Sequence, residues 1–177
     1  EQKIFDSTKI NNSKLNSVAI IGGGVSGILT MKYLKEYGIK ADLYESKNSL
    51  AGIWSPTDGS VWEEMTTNLS QYTCQFHDHL WEPKEPYLPS SGEMQNYLKE
   101  YVSKNDLLNY HTIYYNTTVQ LISYINNHDS TNKDKKYRIG VEKTSTELNK
   151  DTSSDSNIKY LDYNKVIVCT GVHNDYQ

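Results

Sequence analysis

After a mostly polar lead-in of mixed charge, the chain turns abruptly apolar at Val18-Ala19-Ile20-Ile21, a run closed by three glycines. A short apolar run that ends in glycine and feeds a helical repeat reads as a buried strand of a parallel sheet. The repeat follows at once. Val25, Ile28, Leu29, Tyr33 and Leu34 recur at three- and four-residue steps, which predicts a helix over residues 25–37 stopped by Gly38. Residues 40–45 read as a second strand and complete a βαβ unit.

The texture changes again over residues 46–90, which hold all three tryptophans (Trp54, Trp62, Trp81) and all four prolines. Proline with large aromatics predicts ordered but irregular structure pinned by ring packing. A second helix is expected over residues 91–108. Ser90 and Glu93 have the spacing of a capping box, and Met94, Tyr97, Leu98, Tyr101 and Val102 form one apolar face. Strand-like runs follow at 111–115, 118–125, 137–142, 158–162 and 165–169. Two polar inserts, 126–136 and 144–157, read as mobile hairpin loops. Residues 1–16 read as a flexible N-terminal segment. No internal repeat is visible.

With 177 residues the chain suits one domain of ordinary size. A mean hydropathy of -0.71 fits a globular core carrying polar insertions. The net charge of -4, with cations spread along the chain, argues against nucleic acid or an anionic membrane surface as partner. No apolar run approaches the roughly 18 residues of a membrane span, and none resembles a signal peptide. Cys74 and Cys169 form no motif, so reduced thiols in a cytoplasmic setting are expected.

Gly22-Gly23-Gly24-Val25-Ser26-Gly27 satisfies G-x-G-x-x-G. The pattern alone is weak, but its place between a strand and a helix gives it mechanical meaning. Gly22 permits the tight turn, Gly24 lets a diphosphate approach the backbone, and Gly27 lets helix and strand pack closely. The helix start at Val25 and Ser26 offers free N–H groups and a positive dipole end to the anion. Glu45 ends the second strand 18 residues after Gly27, near the spacing of an acid that accepts from ribose hydroxyls. A carboxylate there repels a 2′-phosphate, so the nucleotide is the ADP part of FAD or NAD. The βαβ unit does not choose between them.

The next block carries a resemblance that does choose. Leu50-Ala51-Gly52-Ile53-Trp54 and then Thr67-Asn68-Leu69-Ser70 follow Glu45 in the order seen in the flavin-containing monooxygenase family. Phe76-His77-Asp78, Tyr97-Leu98, Tyr101 and the Val168-Cys169-Thr170-Gly171 turn continue it. The chain resembles the N-terminal, FAD-binding half of that family from about Val18 to Gly171. The resemblance implies an α/β fold: a Rossmann-like FAD-binding domain over residues 17–177 with a parallel sheet, an irregular aromatic loop region and a β-meander. It implies a flavin C4a-hydroperoxide that oxygenates a soft nitrogen or sulfur nucleophile, using O2 and NADPH. By position, Gly22, Gly24, Gly27 and Glu45 hold the ADP moiety, and Gly52 and Trp54 lie along the flavin. Asn68 hydrogen-bonds near its oxygen-reactive edge, and Thr170 and Gly171 form the second wall.

The departures are specific. Ala51 replaces the first glycine of the family's G-G-x-W, a mild change if its backbone angles are ordinary. Gln71 stands where many relatives carry Lys. The NADPH-binding domain of the family is absent from the sequence, so hydride delivery needs a further half, in cis or from another chain. Two alternatives stay open: another FAD- or NAD-dependent oxidoreductase, which lacks here the C-x-x-C or C-x-x-x-x-C pair of disulfide reductases, or a non-catalytic nucleotide-binding remnant. Cys74, His77 and His79 read as packing or loop residues rather than metal ligands. Asp78 reads as a structural acceptor, and Tyr33, Tyr97 and Tyr101 as core.

Overall fold

The computed structural model describes residues 17–55, 61–62, 64–82, 88–125, 136–143 and 158–171. The expected flexible segment 1–16 and the inserts at 126–135 and 144–157 lie outside the described residues.

Strand β1 (Val18–Ile21) leads into helix α1 (Val25–Glu36), strand β2 (Asp42–Tyr44) and a 3-10 turn at Gly52–Trp54. Helices α2 (Ser91–Lys104) and α3 (Leu107–Tyr110) precede β3 (Thr112–Tyr114), and β4 (Thr117–Tyr124), β5 (Tyr137–Lys143), β6 (Lys159–Tyr163) and β7 (Lys165–Val168) complete the order. Two sheets result. A parallel sheet has the order β3-β2-β1-β7, and an antiparallel meander has the order β4-β5-β6. This is the α/β architecture expected from the sequence.

The two faces of the parallel sheet follow from the period of two along its strands. Val18, Ile20 and Leu43 point to the helices and bury against Ile28, Met31, Leu98, Tyr101 and Leu107. Ala19 and Tyr44 point the other way and meet Ile139, Val141 and Tyr163 of the meander. Full burial of a side chain such as Ile20 or Leu43 stabilises by roughly 1.5–3 kcal/mol. A polar chain crosses the second interface: the Tyr44 and Tyr163 hydroxyls lie 2.6 Å apart, and Tyr163 donates to Asp42 Oδ2 at 2.7 Å. Burial pushes the Tyr44 hydroxyl up to about 12, so it stays protonated and donating.

Helix ends obey their local signals. Ser90 caps α2 by accepting from the Glu93 amide, and Glu93 returns the bond, so both halves of the capping box are present. Gly38, at φ 70°, follows α1, and the Ile39 amide bonds back to Leu34 to close a Schellman-type end. The expected single helix over 91–108 is instead two. Asp106 takes left-handed angles (φ 51°), tolerated by its short polar side chain, and the chain turns before α3.

Two expectations about packing are corrected. Tyr33 is 43% exposed rather than core, because the buried face of α1 is set by Gly27, Ile28, Met31 and Lys32. Trp62 is also surface, 63% exposed, whereas Trp81 does pin the aromatic region by stacking on Tyr97 at 4.4 Å.

Candidate dinucleotide-binding site

The glycine turn between β1 and α1 is packed so tightly that three of its four glycines leave little or no room for a side chain. Gly22 has φ 99°, and a Cβ there would lie 2.5 Å from the Cys169 carbonyl oxygen. A Cβ on Gly27 would fall on the Gly22 carbonyl oxygen, and one on Gly23 would meet Leu50 and Glu45. Gly24 differs. Its φ is -75°, and an added Cβ would make only an ordinary 3.5 Å contact with Gly52. Protein packing therefore explains glycine at 22, 23 and 27 but not at 24, where a bare backbone suits the approach of a ligand.

Helix α1 opens at Gly24 with no side-chain cap and no acidic residue in its first turn. Val25 and Ser26 are exposed there. Their amides precede the first intrahelical bond, which Ile28 donates to Gly24. An uncapped N-terminus of a twelve-residue helix, with no carboxylate neutralising its dipole, favours an anion.

Glu45 stands beside this turn, buried, at the end of β2. Its Oε2 accepts from the Gly23 amide at 2.6 Å, and its Oε1 accepts from the Lys47 amide at 2.8 Å and the Ser46 hydroxyl. A carboxylate offers about four acceptor positions, so it can brace the turn and still receive a hydroxyl. The bracing bond to Gly23 was not foreseen from sequence. Spacing alone suggests only the sugar contact.

The Ala51–Gly52 segment closes over the turn from the other side. The Ala51 amide donates to the Gly23 carbonyl at 3.0 Å, and Gly52 (φ 59°) lies against Gly24. The condition under which alanine would be a mild change at position 51 is not met, since its φ is 114°. Trp54 ends the following 3-10 turn, half-buried and packed on the helix-side core. On the far side, Thr170 and Gly171 are exposed beside Gly22, and Gly171 has φ 86° with open space where a Cβ would sit. Cys169 is half-buried, its sulfur 3.7 Å from Thr30 Oγ1. The turn, Glu45, Gly52 and the Cys169–Gly171 stretch are thus brought together.

Asn68 is exposed in the bend after Thr67, whose amide is held by Pro89. Among the described residues, no hydrogen bond ties Asn68 to the glycine turn. Gln71, in the same region, is fully buried.

The aromatic segment that follows is fixed by a cluster that sequence spacing only half reveals. Lys32 of α1, buried to 7% exposure, pairs with Asp78 at 3.1 Å and Glu36 at 2.8 Å. The Glu36 bond, above all, and then Asp78 raise the affinity of Lys32 for its proton, against the opposing effect of burial. Tyr101 donates to Asp78, the structural acceptor role expected of that residue. Tyr97 accepts from the Phe76 amide at 2.5 Å and donates to the His79 carbonyl. A lysine on the buried face of an amphipathic helix is the signal that could have exposed the pair.

The chain is 25% identical over 162 residues to flavin-containing monooxygenase 3 of Rattus norvegicus, which covers 88% of this chain and 28% of that protein. It is 30% identical over 108 residues to dimethylaniline monooxygenase [N-oxide-forming] 4 of Oryctolagus cuniculus, over 58% of this chain and 19% of that one. The chain therefore spans less than a third of the length of these relatives. S-allyl-L-cysteine S-oxygenase from Allium sativum superposes with a TM-score of 0.65 at 19% identity, over 88% of this chain and 36% of the enzyme. The bacillithiol disulfide reductase Bdr from Bacillus cereus superposes at 0.61 and 17% identity, over 88% and 40%, so the fold is shared more widely than one chemistry. The Flavin-binding monooxygenase-like family matches residues 15–176, and the chain belongs to that family of flavin-dependent oxidoreductases.

Proposed function

We propose that residues 17–177 are the FAD-binding portion of a flavin-dependent monooxygenase that oxygenates a soft nitrogen or sulfur nucleophile, with NADPH as reductant. One observation supports the cofactor site above the others. Gly24 is the position of the turn whose lack of a side chain is unexplained by packing, and it sits at an uncapped helix start beside a buried carboxylate.

When bound, FAD supplies the electron and oxygen chemistry. The chain's own residues bind and orient it. The Val25 and Ser26 amides meet the diphosphate, and Glu45 accepts from the ribose while holding the Gly23 amide. Gly52 and Trp54 flank the flavin, and Thr170 and Gly171 make the opposite wall. Asn68 hydrogen-bonds close to the reacting edge. The NADPH-binding half belongs to the remainder of the complete protein or to a second chain. Free Cys74 and Cys169 thiols fit a cytoplasmic setting, and no helix among the described residues is long and apolar enough to cross a membrane.

The nitrogen or sulfur preference is supported by relatives whose names specify N-oxide formation and S-oxygenation. The test is NADPH-dependent oxygen consumption by the complete protein with a tertiary amine, a thioether and a ketone. Turnover with the amine or thioether is expected. Turnover with the ketone alone would overturn the substrate class. Asn68→Ala is expected to leave FAD content unchanged and to lower turnover. Unchanged turnover would remove Asn68 from the site.

A further inference from the structure

A cavity of about 480 Å³ lies between α2 and residues 48–51, on the helix side of the sheet. That volume falls in the range of small-molecule sites. None of the glycines of the phosphate turn lines it, although Ala51, which bonds to Gly23, forms part of its wall. Ile28, Leu98 and Val102 make its floor apolar. Its mouth carries two opposite charges, Lys99 and Asp106. Asp106 is already engaged, by Asn109 at 2.6 Å and Lys35 at 3.4 Å. Among the described residues, none forms an ion pair or hydrogen bond with the Lys99 ammonium, so the charge left uncompensated at the mouth is positive.

We propose that this cavity binds a small molecule with an apolar body and a single carboxylate, the body on the apolar floor and the carboxylate on Lys99. The cavity adjoins the dinucleotide cradle through Leu50 and Ala51 but takes in none of the turn's glycines, and the proposal does not rest on the flavin reading.

The test is fluorine NMR of para-fluorobenzoate with the whole chain, without and with saturating FAD. A dissociation constant on the order of 1 mM is expected for so small a probe. Affinity should be the same with and without FAD. It should fall about tenfold in Lys99→Gln and for neutral para-fluorobenzamide, the loss of one charge-assisted contact. Ser103→Trp, at an exposed position on the mouth, should abolish binding without challenging the fold. Displacement by FAD would place the probe in the cradle and overturn the proposal. So would equal binding of the benzamide, indifference to Ser103→Trp, or no binding at all. Flavin absorbance read on the same samples reports the cofactor reading separately, since a colourless sample that still binds benzoate at Lys99 separates the two.

Discussion

Ala51 shows how a residue's type can leave its backbone conformation hidden. Its φ of 114° lies where a β-branched side chain is a severe outlier, and it is almost wholly buried. Ala51→Val should therefore destabilise the fold by about 2–3 kcal/mol through backbone strain and overpacking, measured by urea denaturation. An unchanged midpoint would mean that the segment relaxes freely. The family's glycine at this place is the sequence signal for a positive φ, but the signal is lost once alanine replaces it. His111 is a second buried case. Its Nδ1 accepts from the Ala41 amide at 3.2 Å, and its Nε2 lies 2.8 Å from the Met31 carbonyl. This pairing requires a neutral ring, and burial lowers its affinity for a proton below the ordinary value of 6.5. The unfolded chain then takes up the proton first as pH falls, so this contribution is complete above about pH 6.5 and declines below it. Ring NMR shifts should stay at the neutral position below pH 6.5. A His111 that charges at or above that pH would contradict the pairing.

At the scale of elements, the helix starts and stops were readable because capping is local chemistry. Ser90 with Glu93, and Gly38 after α1, carry their own instructions. The break at Asp106 was not readable, since the apolar repeat continues through Leu107 and only a left-handed residue interrupts it. The docking of the aromatic segment was half-readable. Asp78 stood out, but its partner Lys32 lies on the face of α1 that periodicity assigns to apolar residues. Asp78→Asn keeps an acceptor for Tyr101 yet strips the buried Lys32 of one counter-charge. It should cost about 2 kcal/mol. Lys32→Met in the same chain should recover most of that loss, as tested by a double-mutant cycle. Additive losses would show that the pair is not coupled. The Tyr44–Tyr163–Asp42 chain joins β2 to β6, and Tyr163→Phe should cost about 1–2 kcal/mol by leaving the buried Tyr44 hydroxyl without its acceptor.

At the scale of the whole molecule, the α/β class was evident from the first forty-five residues, because an apolar strand, a glycine turn, an amphipathic helix and an acidic strand end can combine in few ways. The strand order was not. Pairing of β7 with β1 links residues 165–168 to 18–21, and no local pattern encodes so distant a contact. That pairing sets the Cys169 carbonyl behind Gly22 and brings Thr170 and Gly171 to the cradle. The central claim is that this cradle holds the diphosphate of FAD at Gly24. It is tested most directly by titrating FAD into the chain and its Gly24→Ala variant, with folding checked by circular dichroism and binding followed by flavin fluorescence. Saturable binding to the native chain, weakened about tenfold or more by a methyl group that the protein itself can accommodate, is the expected result. Equal FAD affinity in two equally folded proteins would contradict it.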